Sequence, residues 1–215
     1  MRNEIYSVFV SKYLEKITTK LYNFKLRLII PNFLDKKFEN LKINFNRKPI
    51  VIWSVQREKG LNKTIEAWIE KVYSKNNKAE LHIFAIKKFA NKNIFEKYNI
   101  FFHGRVDKKT LIKYYSKASC MICLGYDETF CLNAIESFAC GTPVLSFKKT
   151  ALNDLIVNNI NGFKVNNFSQ IANKINKLIN LNKIQRKKII KSTNKFSTKY
   201  YFKNIENKLI NLLKL

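Results

Sequence analysis

Short apolar runs alternate with longer segments of helical spacing along most of this chain. Residues 5–10 and 26–30 read as strands with a helix from about 12 to 21 between them, and Pro31-Asn32 marks a turn after the second strand. Residues 33–48 are polar and irregular and read as a linker. A β-branched and aromatic run at 49–54 predicts the next strand, and Leu61, Ile65, Trp68 and Val72 recur at helical spacing through 60–75. Strands follow at 80–86, 100–102, 119–124, 144–147 and 162–165. Between them lie helices at 108–117, with Asp107 as N-cap, at 130–140, stopped by Gly141 and Pro143, and a short one at 153–157. From 169 to 215 helices dominate. Strands that alternate with helices of this length imply βαβ units, hence an α/β fold with a Rossmann-like parallel sheet flanked by helices.

Composition limits the classes of function. Apolar residues make up 46% of the 215, enough for a packed core, and this excludes wholesale disorder. No run of eighteen apolar residues occurs, and no small-residue cleavage site follows residues 5–10, so the expectation is an intracellular chain. The net charge of +26 would suit nucleic acid or an anionic membrane. Yet 35 of the 41 basic residues are Lys, scattered through every segment, and 27 Asn accompany them, as in AT-rich coding. The clusters at Lys108-Lys109, Lys148-Lys149 and Arg186-Lys187-Lys188 lack the aromatic interleaving of an RNA platform. The charge therefore predicts a solvated surface with peripheral attraction to an anionic membrane and no specific nucleic acid. Cys120 and Cys123 have zinc-knuckle or redox spacing, but on a strand positions three apart face opposite sides. Cys131 and Cys140 lie too far apart to complete a set, so four reduced, mostly buried thiols are expected and no metal site.

The chemistry concentrates in residues 126–144. A strand ends, an acidic loop follows, and a helix begins near Phe130. In open parallel sheets ligands bind outside the C-terminal ends of the strands, and a helix N-terminus there offers amides and a positive dipole end. A diphosphate would fit against the amides of Thr129, Phe130 and Cys131. Glu128 lies in the loop and Glu136 about two turns into the helix, and a carboxylate that accepts two hydroxyl protons is a natural ribose clamp.

Glu128, seven residues, Glu136 and then Ala139-Cys140-Gly141-Thr142-Pro143-Val144 resemble the E-x7-E signature of GT-B, family 4-type retaining glycosyltransferases. Lys59-Gly60 resembles the family's "R…KG" step, Ile100-Phe101-Phe102-His103-Gly104-Arg105-Val106 its "V-x-F-x-G-x-V" segment, and 111–118 the helix after it. Asp154-Leu155-Ile156 through Asn161-Gly162-Phe163 resembles "E-L-I … N-G". The matches run in order over about residues 49–180, and Phe9-Val10-Ser11 and Ile29-Ile30-Pro31-Asn32 resemble the strands that precede the family's interdomain linker.

The resemblance implies a nucleotide-diphosphate sugar as donor, no metal and no other cofactor. Glu136 would hold the ribose hydroxyls and Glu128 would lie near the sugar ring. The amides of Thr129, Phe130, Cys131 and Leu132 would hold sugar and diphosphate, and Lys59 would neutralise charge developing on the leaving diphosphate. Arg57, close to the Ser54 that stands where the family has an arginine, and His103, just before Gly104, are further donor-side candidates. Cys131 replaces a glycine common in the loop, Ala85-Ile86 a glycine-rich turn, and Asp154 a common Glu. The implied organisation is a remnant of an N-terminal domain at 1–32, a linker at 33–48, a nucleotide-sugar domain at 49–195 and a helix at 196–215 that would pack on the rest of the N-terminal domain. The expected activity is transfer of a sugar, with retention, to a surface-polysaccharide or lipopolysaccharide-type acceptor, glycan or lipid-linked, in the cytoplasm or at the inner membrane face. The rival expectation is an inert fragment or a donor-binding subunit that depends on a separate N-terminal-domain chain.

Overall fold

The computed structural model describes residues 6–54, 60–84, 92–125 and 127–213. A small N-terminal unit comprises β1 (Tyr6–Phe9), α1 (Lys12–Thr18) and β2 (Leu26–Ile29), with β1 and β2 paired in parallel as a two-stranded sheet. The body contains β3 (Ile50–Ser54), α2 (Leu61–Trp68), β4 (Glu80–Phe84), β5 (Ile100–Gly104), α3 (Lys108–Tyr115) and β6 (Cys120–Ile122). It continues through α4 (Leu132–Ala139), β7 (Val144–Phe147), α5 (Leu152–Leu155), β8 (Gly162–Val165), α6 (Phe168–Ile179), α7 (Lys183–Ser197) and α8 (Phe202–Leu213).

The body's six strands are all parallel, in the order β5-β4-β3-β6-β7-β8. The central strands are buried on both faces. All five residues of β3 and all four of β7 are buried, which is why they read as continuous rather than alternating apolar runs. The chain first runs outward from β3 to β5 and then restarts at β6 on the other side of β3. Right-handed crossovers place helices on opposite faces when the direction of travel reverses. Accordingly α2 packs with α6, and α4 packs with α3 and α7. The point between β3 and β6 is the topological switch, where the strand ends part and open a crevice.

Helix boundaries follow local chemistry. The α2 stripe of Leu61, Thr64, Ile65 and Trp68 is buried at helical spacing, and the α-helix then widens into a π-helical turn over Ile69–Tyr73. Asp107, Asn167 and Asn182 cap α3, α6 and α7 by accepting from Thr110, Gln170 and Gln185 amides. A 3₁₀ segment at Lys92–Tyr98, absent from the sequence expectation, leads into β5, and Trp68 Nε1 donates to the Tyr98 carbonyl at 3.0 Å. Trp53 and Trp68 are core residues, as their strand and helix positions predict. The helix expected from residue 130 instead begins at Leu132, because Cys131 sits in the left-handed region with φ 71° and cannot be its first turn.

Residues 33–48 are irregular apart from a 3₁₀ turn at Lys36–Phe38, but they are fastened to the body. Leu34 and Phe38 are buried. Arg47 lies at 6% exposure, with Nη1 donating to the Tyr115 carbonyl at 2.6 Å and Thr142 Oγ1 at 2.9 Å, and Nη2 to the Cys140 carbonyl at 2.6 Å. One guanidinium thus satisfies orphan carbonyls at the C-terminal ends of both α3 and α4, where a cation also complements the helix dipoles. Burial lowers its pKa to about 10. The N-terminal unit meets the body and α8 through hydrogen bonds from Ser11 Oγ to the Thr129 carbonyl at 2.5 Å and from Lys208 Nζ to the Ile29 carbonyl at 3.1 Å, and just beyond it Leu34 N donates to the Tyr200 carbonyl at 2.9 Å. In α8 Ile205 is buried, while Leu209 and Ile210 stay exposed.

Candidate functional site

The acidic loop leaves β6 at the switch point and enters α4 beside the end of β3. Asn133 Nδ2 donates to the Ser54 carbonyl at 2.6 Å, tying the first turn of α4 to the last residue of β3. Gly125 starts the turn. A Cβ there would stand 2.0 Å from Glu128 Cγ, so the Glu128 side chain folds back over a glycine that leaves room for it. The Glu128 carbonyl accepts from the Ala151 amide at 3.0 Å, which fastens the loop to the one that follows β7. Thr129 is exposed and holds the N-terminal unit through its carbonyl. Phe130 is buried against Tyr200, edge to face with ring centroids 5.7 Å apart. Leu132, the first residue of α4, is exposed.

Cys131 is buried, with its sulfur 3.2 Å from that of Cys123 at the end of β6. All four cysteines are free and buried. The thiol contact, burial and the nearby Glu128 charge all push the Cys131 thiol well up, so it stays protonated and acts as packing.

Glu136 differs most from its expected setting. With α4 starting at Leu132, it lies about one turn into the helix rather than two, and it is 3% exposed. One carboxylate oxygen pairs with Lys108 Nζ at the start of α3. The other, Oε2, is buried and has no hydrogen-bond partner among the described residues. Burial raises the carboxyl's pKa, Lys108 pulls it back, and Asp35 adds to the rise. Lys108 also lies over the Phe38 ring, with Nζ 5.5 Å from the centroid. A buried carboxylate with one free oxygen at a sheet's switch point can accept a hydroxyl proton that water does not reach.

His103 stands near the end of β5, in an aromatic group with His82, Phe84 and Tyr114. Its Nε2 lies 2.8 Å from His82 Nδ1, and His82 Nε2 lies 2.9 Å from Glu80 Oε2. Burial, with His82 alongside, lowers the His103 pKa to about 4, so the pair shares a hydrogen bond in the neutral state. Lys59, Arg57 and the Ala85-Ile86 turn lie outside the described residues. The structure therefore gathers Glu128, Thr129, Phe130, Cys131, Leu132 and Glu136 on one loop-to-helix turn. Lys108, Asn133 and Ser11 join them, although the sequence marks none of the three as a site residue. Asp107, a recognisable N-cap, fixed where α3 starts, but nothing in a lone Lys announces a carboxylate partner 28 positions away. Among the described residues no group of three His, Cys, Asp or Glu is arranged to hold a metal ion.

An acidic turn entering a helix at the switch point of a parallel sheet places the chain among Rossmann-like α/β domains. Residues 35–196 match the model of the family described as "Glycosyl transferases group 1", and the chain belongs to that family. Its fold is similar to that of Staphylococcus aureus TarM, solved as a mutant in complex with UDP among other ligands, at TM-score 0.79 and 22% identity over 95% of this chain and 43% of that one. It is also similar to sucrose-phosphate synthase from Thermosynechococcus elongatus, at TM-score 0.75 and 20% identity, covering 97% and 57%. A glycosyltransferase from Rickettsia africae gives TM-score 0.75 and 18% identity, covering 98% and 63%. The chain thus spans between two fifths and two thirds of the length of these neighbours. No curated protein sequence matches it.

Proposed function

We propose that this chain forms the donor-binding part of a family 4-type, retaining GT-B glycosyltransferase. It would take a sugar from a nucleotide diphosphate to a surface-polysaccharide or lipopolysaccharide-type acceptor. The observation that carries this reading is the buried Glu136 carboxylate at the switch point, with Oε2 unpartnered. A ribose hydroxyl donating to Oε2 would satisfy that atom. Lys108 would keep the carboxylate ionised and aimed. Glu128 and the backbone of 129–132 would face sugar and diphosphate, and Lys59 would offset charge on the leaving diphosphate. Complexes of TarM and of the pneumococcal transferase GtfA with UDP support a uridine nucleotide as the first candidate. No helix among the described residues is long and apolar enough to cross a membrane. The +26 charge suits the cytoplasmic membrane face, where anionic lipids lie.

Calorimetric titration with UDP-, GDP- and dTDP-hexoses tests the assignment. One of them should bind, and Glu136→Gln should weaken it by about tenfold or more, the cost of losing a hydrogen bond to a charged group. If the whole panel fails to bind, or Glu136→Gln binds as tightly as the parent, the assignment is wrong.

A second reading, a donor-binding subunit that does not act alone, is favoured by the N-terminal unit. Its two-stranded sheet has no further strands among the described residues, and Val8, Leu21, Tyr22 and Leu26 are exposed. Donor binding without transfer or hydrolysis would select that reading.

A further inference from the structure

A cavity of about 820 Å³ lies between the N-terminal unit, the acidic loop and α8. It opens outside the C-terminal ends of β1 and β2, with Ser11 and Pro31 in its wall, and Phe130 of the acidic loop forms part of another side. Three lysines from three separate elements line it: Lys12 from α1, Lys199 from the turn before α8, and Lys208 from α8. Asp154 is the one carboxylate among the lining residues. The balance of three cations to one anion follows the chain's own ratio of 41 to 15, but here these groups face one cavity whose wall is otherwise largely apolar, chiefly Phe130, Leu155, Tyr200 and Ile205. Lys208 already donates to the Ile29 carbonyl and keeps two further donors, while Lys199 lies over the Phe196 and Tyr200 rings. Lys12 makes no hydrogen bond or ion pair among the described residues.

We propose that this cavity binds the acceptor, and that the acceptor is a glycan unit carrying an anionic group, a phosphate or a uronate carboxylate. The charge would lie between Lys12 and Lys199. The ring would stack on the aromatic wall, and Asp154 would accept a hydroxyl. The acceptor assignment rests on the glycosyltransferase reading, since the cavity shares Phe130 with the proposed donor loop. The preference for an anionic sugar rests on the lining alone. The volume suits one or two sugar rings, in the range of ordinary small-molecule sites.

The test is NMR titration of the full 215-residue chain with glucose 6-phosphate, glucuronate, glucose and inorganic phosphate in parallel, with nucleotide-sugar binding followed by calorimetry on the same sample. Glucose 6-phosphate or glucuronate should shift resonances of residues around Lys12, Asp154 and Tyr200. Glucose and inorganic phosphate should each bind at least about tenfold more weakly, because each lacks half of the recognition. Lys12→Gln with Lys199→Gln should lower affinity for the charged sugar about tenfold while nucleotide-sugar affinity stays unchanged. Which charged sugar wins distinguishes phosphate from carboxylate. The proposal is overturned if glucose binds as well as the charged sugars, if inorganic phosphate alone binds as well, or if the double variant binds undiminished. If a charged sugar binds as described but no nucleotide sugar does, the donor assignment fails and the anionic-sugar site stands.

Discussion

The Lys108–Glu136 pair predicts a pH-dependent stability defect whose sign can be worked out beforehand. Lys108→Met leaves the Glu136 carboxylate, 4% exposed at the side chain, with no cation in contact among the described residues. Asp35 and the buried Tyr115 and Cys140 share its electrostatic neighbourhood, and none of them supplies positive charge. Breaking a fully buried pair costs about 3–5 kcal/mol. Lys108 is 38% exposed, so solvent already screens part of the attraction, and about 2 kcal/mol is the better expectation. The carboxyl, already raised by burial, would rise further without Lys108. A carboxylate whose folded pKa exceeds its unfolded value binds protons more readily in the native state. The penalty is then absent below the unfolded pKa and grows to its full size above the folded one. Urea denaturation of Lys108→Met should therefore show a small deficit near pH 5 and about 2 kcal/mol near pH 8. Adding Glu136→Gln to that variant should recover most of the loss at pH 8, because a neutral amide costs less to bury. A deficit of the same size at both pH values, or a double variant no more stable than Lys108→Met, would refute the reasoning.

Three other outcomes follow from the geometry. Arg47→Ala should destabilise the chain by about 2 kcal/mol by orphaning the buried carbonyl of Cys140 and removing one of several donors to that of Tyr115, and Arg47→Lys should recover only part, both read from denaturant midpoints. Gly162→Ala should cost several kcal/mol or prevent folding, since a Cβ would stand 1.9 Å from the Val144 carbonyl oxygen, and circular dichroism melts suffice to check it. His82 and His103 are held below their ordinary pKa, so the neutral forms stabilise the fold above about pH 6.5 and that contribution is lost as pH falls towards 4. His103→Phe should flatten this acid limb, and an unchanged limb would count against the buried pair.

The alternation of strands and helices was legible because it rests on apolar runs and on caps such as Asp107, signals local to a few residues. The family was legible for the same reason: Glu128, Glu136 and the Gly141-Thr142-Pro143 stop, which carry the resemblance, fall within one short stretch. What the sequence hid was pairing at a distance. Arg47 looked like one more cation in a polar stretch, yet it closes the ends of two helices 68 and 93 positions away. Glu136 reads as a ribose clamp, but its pairing with Lys108 stays hidden because a helical position does not reveal which neighbour covers it. The start of α4 was misjudged by two residues because Cys131 adopts a conformation that residue type rarely signals. The Asn161-Gly162 step belongs to the family pattern, but here it is architectural. The Asn161 side chain accepts from Val157 N at 2.7 Å and donates to the Leu155 carbonyl at 3.0 Å, which closes the turn before β8.

The amide of Leu34 donates to the carbonyl of Tyr200, which joins the place where the chain leaves the N-terminal unit to the place where it comes back towards it. Phe33 and Phe202 stack edge to face next to that bond, with centroids 5.1 Å apart. Below it, Arg47 locks residues 46–48 to the body. Any swivel of the N-terminal unit must then turn about two parallel threads at one level, near residues 30–33 and 201–202. Two threads tied to each other at one level resist twisting more than one free linker would, so the bond and the ring contact hold the orientation of the unit that walls the cavity.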